Sequence, residues 1–255
     1  MSARHAALCP AATLEGSAGR LRVHGAAPAG AAAGAVLVAH GRNGAADQAH
    51  ITPVVAACLA RDYWVAVPDL CYSAANDSAG PAAGFTMTAH LADVRTVLDW
   101  AAAQPAWATG GPRIAAGHSM GAYAVLRLAA ETAAAGTITG VMAISPVIAG
   151  RALIAARERM GPHALAALSA ELPGAFAEWP RHDMMPLASR ITQPAAVIVG
   201  ADDTLTTPQD AKTLADALPN LVHSAVLGGE HHCPLGADYA ASLAVALDRL
   251  TGRAA

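Results

Sequence analysis

Aromatic residues are scarce in this sequence, 4% of the chain with only two phenylalanines. Charge is sparse too, at 14% against about a quarter in ordinary globular chains. The net charge is −3 and no basic block occurs, which argues against a nucleic-acid partner. No run of about 20 apolar residues is free of a charge or a helix breaker, so no membrane-spanning helix is expected. The N-terminal stretch lacks the leucine-rich core of a signal peptide. The four cysteines, Cys9, Cys58, Cys71 and Cys233, are scattered and form no C-x-x-C. They are expected to be reduced thiols of a cytoplasmic protein, with a secreted or periplasmic location left open.

What the chain has in plenty is alanine, within a hydrophobic share of 54%. Its 255 residues can bury a sizeable core as one α/β domain over 1–255. Short apolar runs alternate with helical periodicity. Leu8–Leu14 and Arg20–Gly25 are expected to pair as an antiparallel edge. Buried strands are expected at Ala35–Ala39, Trp64–Val67, Arg113–Gly117, Ile138–Ile144, Ala195–Val199 and Val222–Leu227. Helices are expected at Asp47–Ala60, Thr86–Ala103, Met120–Thr132, Pro208–Leu218 and Ala237–Leu250. This order predicts a mostly parallel sheet of about eight strands with helices on both faces. In such sheets ligands sit at the C-terminal strand ends. The polar motifs fall there: His40-Gly41, Ser119, Asp202-Asp203 and His231-His232.

The chain is organised around Gly117-His118-Ser119-Met120-Gly121, with an apolar strand before it and an Ala/Leu-rich helix after it. That is the context in which G-x-S-x-G forms a nucleophile elbow. The tight turn pushes the serine hydroxyl out of the sheet. The helix that follows aims its N-terminal amides at the same place. A serine hydroxyl needs a histidine to take its proton and a carboxylate to hold the imidazole. Here the order along the chain is serine, aspartate, histidine.

These motifs resemble the α/β-hydrolase family, specifically a small serine esterase or lipase, or a dienelactone-hydrolase-like member. The resemblance spans about residues 7–250. It implies Ser119 as nucleophile. The family's Gly-x-x-Asp pattern places the acid at Asp203, with Asp202 the alternative. Its His-x-Pro pattern places the base at His232, with His231 the alternative, although the glycine expected before the histidine is absent. His40-Gly41-Arg42 resembles the family's oxyanion loop, which implicates the amides of Arg42 and Met120. Gly41, His40 and Trp179 are candidate substrate contacts, His40 being more often structural in this motif. The Arg42 side chain could also meet an acidic group on a substrate. Residues 147–182 exceed what one crossover needs. They hold two short helices, near Ala149–Met160 and Pro162–Leu172, then Phe176 and Trp179, and are expected to form a small lid or a longer crossover.

The implied activity is hydrolysis of a small carboxylic ester through an acyl-enzyme. Thioesterase, amidase and acyltransferase chemistry use the same triad. A non-catalytic ligand-binding protein on this fold is the rival from another class. No metal or organic cofactor is expected. His231 and His232 could ligate a metal with Cys233, Glu230 or His40, but no second spaced ligand motif accompanies them.

Overall fold

The computed structural model describes residues 8–253. Its strands are β1 (Cys9–Gly16), β2 (Gly19–Ala26), β3 (Gly34–Ala39), β4 (Tyr63–Asp69), β5 (Arg113–His118), β6 (Gly140–Ile144), β7 (Ala195–Gly200) and β8 (Leu221–Leu227). They form one sheet in the order β1-β2-β4-β3-β5-β6-β7-β8. The β1–β2 and β2–β4 pairs are antiparallel. From β4 onward across the sheet every pairing is parallel. The apolar runs become strands because both faces are covered, so no polar alternation is needed. In β3 the period of two is still visible. Val36 and Val38 join the core on one face, while Ala35, Leu37 and Ala39 join the other.

The helices are α1 (Thr52–Leu59), α2 (Met87–Ala102), α3 (Met120–Thr132), α4 (Gly150–Met160), α5 (Pro162–Glu171), α6 (Ala175–Glu178), α7 (Pro208–Ala217) and α8 (Ala237–Leu250). α1 and α8 cover one face through Val54, Val55, Cys58, Tyr239 and Leu243. α2, α3 and α7 cover the other. Ten of the 13 residues of α3 are buried, as expected of a helix enclosed on nearly all sides.

The boundary that differs most from the sequence expectation is the start of α1. Asp47–Ala60 is not a single helix, because residues 47–51 form turns and α1 begins at Thr52 with Pro53 in its first turn. Proline lacks an N–H and fits the first turn, where none is needed. The segment 147–182 folds into α4, α5, α6 and a short turn of 3-10 helix at Trp179–Arg181. Leu153, Leu168, Leu172 and Trp179 tie it to the main core.

Candidate active site

The strand-to-helix turn after β5 is built by close approach. A Cβ on Gly121 would stand 2.2 Å from the Ala39 carbonyl oxygen, and one on Gly117 2.4 Å from the Gly121 backbone. Only glycine lets α3 sit this near the strand ends. Between them Ser119 takes φ 57° and ψ −118°, a region that non-glycine residues rarely occupy. Such strain persists only where the surroundings enforce it. Here the Ser119 amide donates to the Ile144 carbonyl at 2.9 Å, and the Ser119 carbonyl accepts from Tyr123 and Val147.

A continuous hydrogen-bonded chain runs from this serine. Ser119 Oγ donates to His232 Nε2 at 3.0 Å. His232 Nδ1 donates to Asp203 Oδ2 at 2.9 Å. Asp203 is held in turn by the amides of Leu205 and Thr206, both at 2.9 Å from Oδ1. The Thr206 hydroxyl donates to Oδ2 at 2.7 Å. Burial alone would raise the Asp203 carboxyl. The hydrogen bonds and charge of His232, with the donors of Thr206, outweigh burial and hold it at about 2. A carboxylate with that many donors stays ionised and fixes the imidazole tautomer.

The doublets separate cleanly. Asp202 is exposed, and its carbonyl accepts from His231 Nδ1 at 3.2 Å, away from the serine. Met120 is the first residue of α3, so its amide is not consumed by the helix ladder. Gly41 packs on the serine closely enough that a Cβ there would lie 2.9 Å from Ser119 Cβ. This brings the 40–42 loop beside the nucleophile.

Ser119 opens into a cavity of about 140 Å³. Its far wall comes from the inserted helices, as Leu153, Arg157 and Trp179. The Arg157 guanidinium lies 5.7 Å from the Trp179 ring centroid, and its Nη1 is buried without a hydrogen-bond partner. Arg42 also lines the cavity, with its guanidinium 3.2 Å from Glu171.

No family model matches the chain, and no curated protein matches it either. Solved structures do. Est1E from Butyrivibrio proteoclasticus, solved with ferulic acid bound, superposes with a TM-score of 0.77 at 17% identity, over 94% of this chain and 98% of that one. An esterase of Pyrococcus furiosus gives 0.73 at 18% identity, over 96% and 92%. A serine hydrolase of Xanthomonas campestris, described as having no lid, gives 0.68 at 20% identity, over 97% of each chain.

The chain has the α/β-hydrolase fold.

Within that fold some expected contacts fall elsewhere. His40 does not face the cavity. It is buried, its Nδ1 donates to the Gly41 carbonyl at 2.7 Å, and its Nε2 accepts from the Leu70 amide at 2.9 Å. Both nitrogens are used to shape the loop, so none is left for substrate. Phe176 is exposed and stands outside the cavity that Trp179 lines. His50 and His90 are buried. His90 Nε2 donates to the His40 carbonyl at 3.2 Å, and His50 lines the cavity.

Sequence reasoning missed Thr206, Arg157 and His50. Thr206 follows Asp203 by three residues, a spacing that suits a hydroxyl bracing a turn carboxylate. Nothing in the sequence placed Arg157 or His50 at the serine. A further grouping was invisible there. One ligand atom each from His50, His118 and Cys233 lie within 4.8 Å of one another.

Proposed function

We propose that this protein is a serine hydrolase cleaving a carboxylic ester, with Ser119, His232 and Asp203 as its triad. The observation that carries this is the unbroken chain of hydrogen bonds from Ser119 through His232 to Asp203 at the floor of a cavity. Ser119 Oγ attacks the ester carbonyl while His232 Nε2 takes its proton. The amides of Met120 and Arg42 receive the oxyanion. Asp203 stabilises the imidazolium that forms. His232 then protonates the leaving alcohol, and water attacks the acyl-serine by the same route in reverse.

The cavity also favours one class of ester. Arg157 presents a buried guanidinium nitrogen with no partner, and burial, then the nearby charge of Arg42, works against its charged form. The Glu171 carboxylate offsets part of this cost from a distance, but a half-buried guanidinium with one nitrogen lacking a direct partner still favours an anion against it. An ester whose acyl or alkyl part carries a carboxylate would supply one. The segment 147–182 caps the cavity and supplies this recognition wall. Among the described residues no helix is long and apolar enough to cross a membrane. The free thiols of Cys58, Cys71 and Cys233 fit a reducing compartment, and so a cytoplasmic location.

The test compares p-nitrophenyl esters of neutral and dicarboxylic acids on wild type, Ser119→Ala and Arg157→Gln. Turnover that vanishes in Ser119→Ala is expected. The acidic-to-neutral ratio of kcat/KM should fall about tenfold or more in Arg157→Gln. Tight ligand binding with no turnover of any ester would favour a binding protein.

A further inference from the structure

His118 precedes the nucleophile and is buried. Its Nε2 lies 2.7 Å from the His232 carbonyl oxygen, so Nε2 must carry the proton and donate. That fixes the tautomer and leaves Nδ1 as a bare lone pair. Nδ1 is buried and has no hydrogen-bond partner. His50, arriving from the turn before α1, packs against it at a tilt of 54° with ring centroids 4.2 Å apart. The Nε2 of His50 is also buried and unpartnered. Unsatisfied buried polar atoms are uncommon and call for a physical cause. The third member is Cys233, whose side chain is exposed on the loop carrying His232.

We propose that His50, His118 and Cys233 form a site for a thiophilic divalent cation, Zn²⁺, whose occupancy blocks the Ser119 cavity. Three N/S ligands with a fourth position left open is a common arrangement for zinc. Ligand atoms at about 2.1 Å (N) and 2.3 Å (S) from the metal would stand roughly 3.3–3.7 Å apart. The three side chains lie within 4.8 Å of one another, so small side-chain rotations close the set. A histidine whose other nitrogen donates to a backbone carbonyl is the usual pre-oriented metal ligand, and His118 is held that way. Both imidazoles keep one buried ring nitrogen that no protein group engages. The Cys233 thiol gives its proton to solvent as the sulfur–metal bond forms, so the step conserves atoms and charge. The Asp203 carboxylate, close enough to act on both His118 and Cys233, supplies compensating negative charge.

The block rests on the hydrolase proposal. The His118 and His232 rings are 4.9 Å apart. His50, His118 and Cys233 all line the cavity beside Ser119, so a cation seated on them would occupy the cavity floor. Sequence spacing could not show this set, because its members are drawn from residues 50, 118 and 233.

The experiment titrates metal-stripped full-length protein with Co²⁺, followed by absorbance, and with Zn²⁺, followed by calorimetry. Wild type should bind one ion per chain, with a thiolate-to-cobalt charge-transfer band and the intense visible bands of a tetrahedral site. Cys233→Ser should lose the charge-transfer band. Cys233→Ser and His50→Gln should each weaken Zn²⁺ by about tenfold or more, with circular dichroism confirming that both are folded. The proposal is overturned if wild type binds no stoichiometric ion, or if both variants bind as wild type does. That outcome would leave the His118 lone pair to the Cys233 thiol or to a water. These readings need no substrate, so they are independent of whether esters are cleaved. In wild type that does cleave esters, one equivalent of Zn²⁺ should abolish turnover and a chelator should restore it. Full turnover with the ion bound would overturn the block.

Discussion

At the scale of single residues the site depends on how Asp203 is held. Its carboxylate takes hydrogen bonds from His232, Thr206 and Leu205, and buried carboxylates so satisfied stay ionised. Asp203→Asn keeps the shape but offers the imidazole an amide that can stabilise the wrong tautomer. It should lower kcat by a factor on the order of 10³–10⁴ with little change in KM, read by steady-state kinetics. Thr206→Val removes one donor from the carboxylate at nearly constant volume. It should lower kcat roughly tenfold, the scale of one hydrogen bond to a charged group. Equal kcat in Thr206→Val and wild type would show that this hydroxyl only fills space. Ser119, Asp203 and His232 were legible because each sits at a strand end in a pattern set by local chain geometry. Thr206 was legible in hindsight only, since a threonine in a turn has many uses.

At the scale of elements, α2 depends on a residue far from it in sequence. Glu178 accepts from the amides of Met87 at 3.2 Å and Thr88 at 3.0 Å, at the helix N-terminus where negative charge is favoured. It also accepts from the Thr88 hydroxyl at 3.0 Å and from His182 Nε2 at 2.5 Å. Burial would raise the Glu178 carboxyl, but these donors together hold it at about 2, below its ordinary 4.5. A folded value below the unfolded one means this stabilisation is complete above the unfolded value and fades as pH falls toward the folded one. Glu178→Gln should cost about 1–2 kcal/mol near pH 6. The gap from wild type should shrink near pH 3, as read from urea midpoints. A gap that widens on acidification would contradict the assignment. The turn between β5 and α3 makes a harsher prediction. Gly121→Ala drives a Cβ onto a backbone carbonyl oxygen that cannot give way, so the variant should lose several kcal/mol or fail to express in soluble form. The element pattern was mostly legible: α3 and α8 span the predicted ranges. The start of α1 was not, because apolar periodicity continued across turns that Pro53 and its neighbours impose.

At the scale of the whole molecule, the sheet order gathers the ends of β3, β5, β7 and β8 around one cavity, and the inserted helices close its far wall. The alternation of strands and helices announced this architecture, since fully apolar strands demand covering on both faces. The sequence did not announce which side chains from distant segments would meet there. Arg157 on α4, His50 before α1 and Cys233 after β8 converge only through the fold, and no spacing rule links them. The molecule is also tied across its back. Arg61, just after α1, makes a two-pronged pair with Asp248 on α8, at 2.7 and 2.6 Å. Asp248→Asn should lower the melting temperature by a few degrees and leave labelling of the serine intact. The central claim is that Ser119 is a nucleophile activated by His232. The most direct measurement is intact-protein and peptide mass spectrometry after treatment with a fluorophosphonate. One adduct on Ser119 in wild type is expected, none in Ser119→Ala, and strongly slowed labelling in His232→Ala. No adduct on folded wild type, or an adduct at another residue, would contradict it.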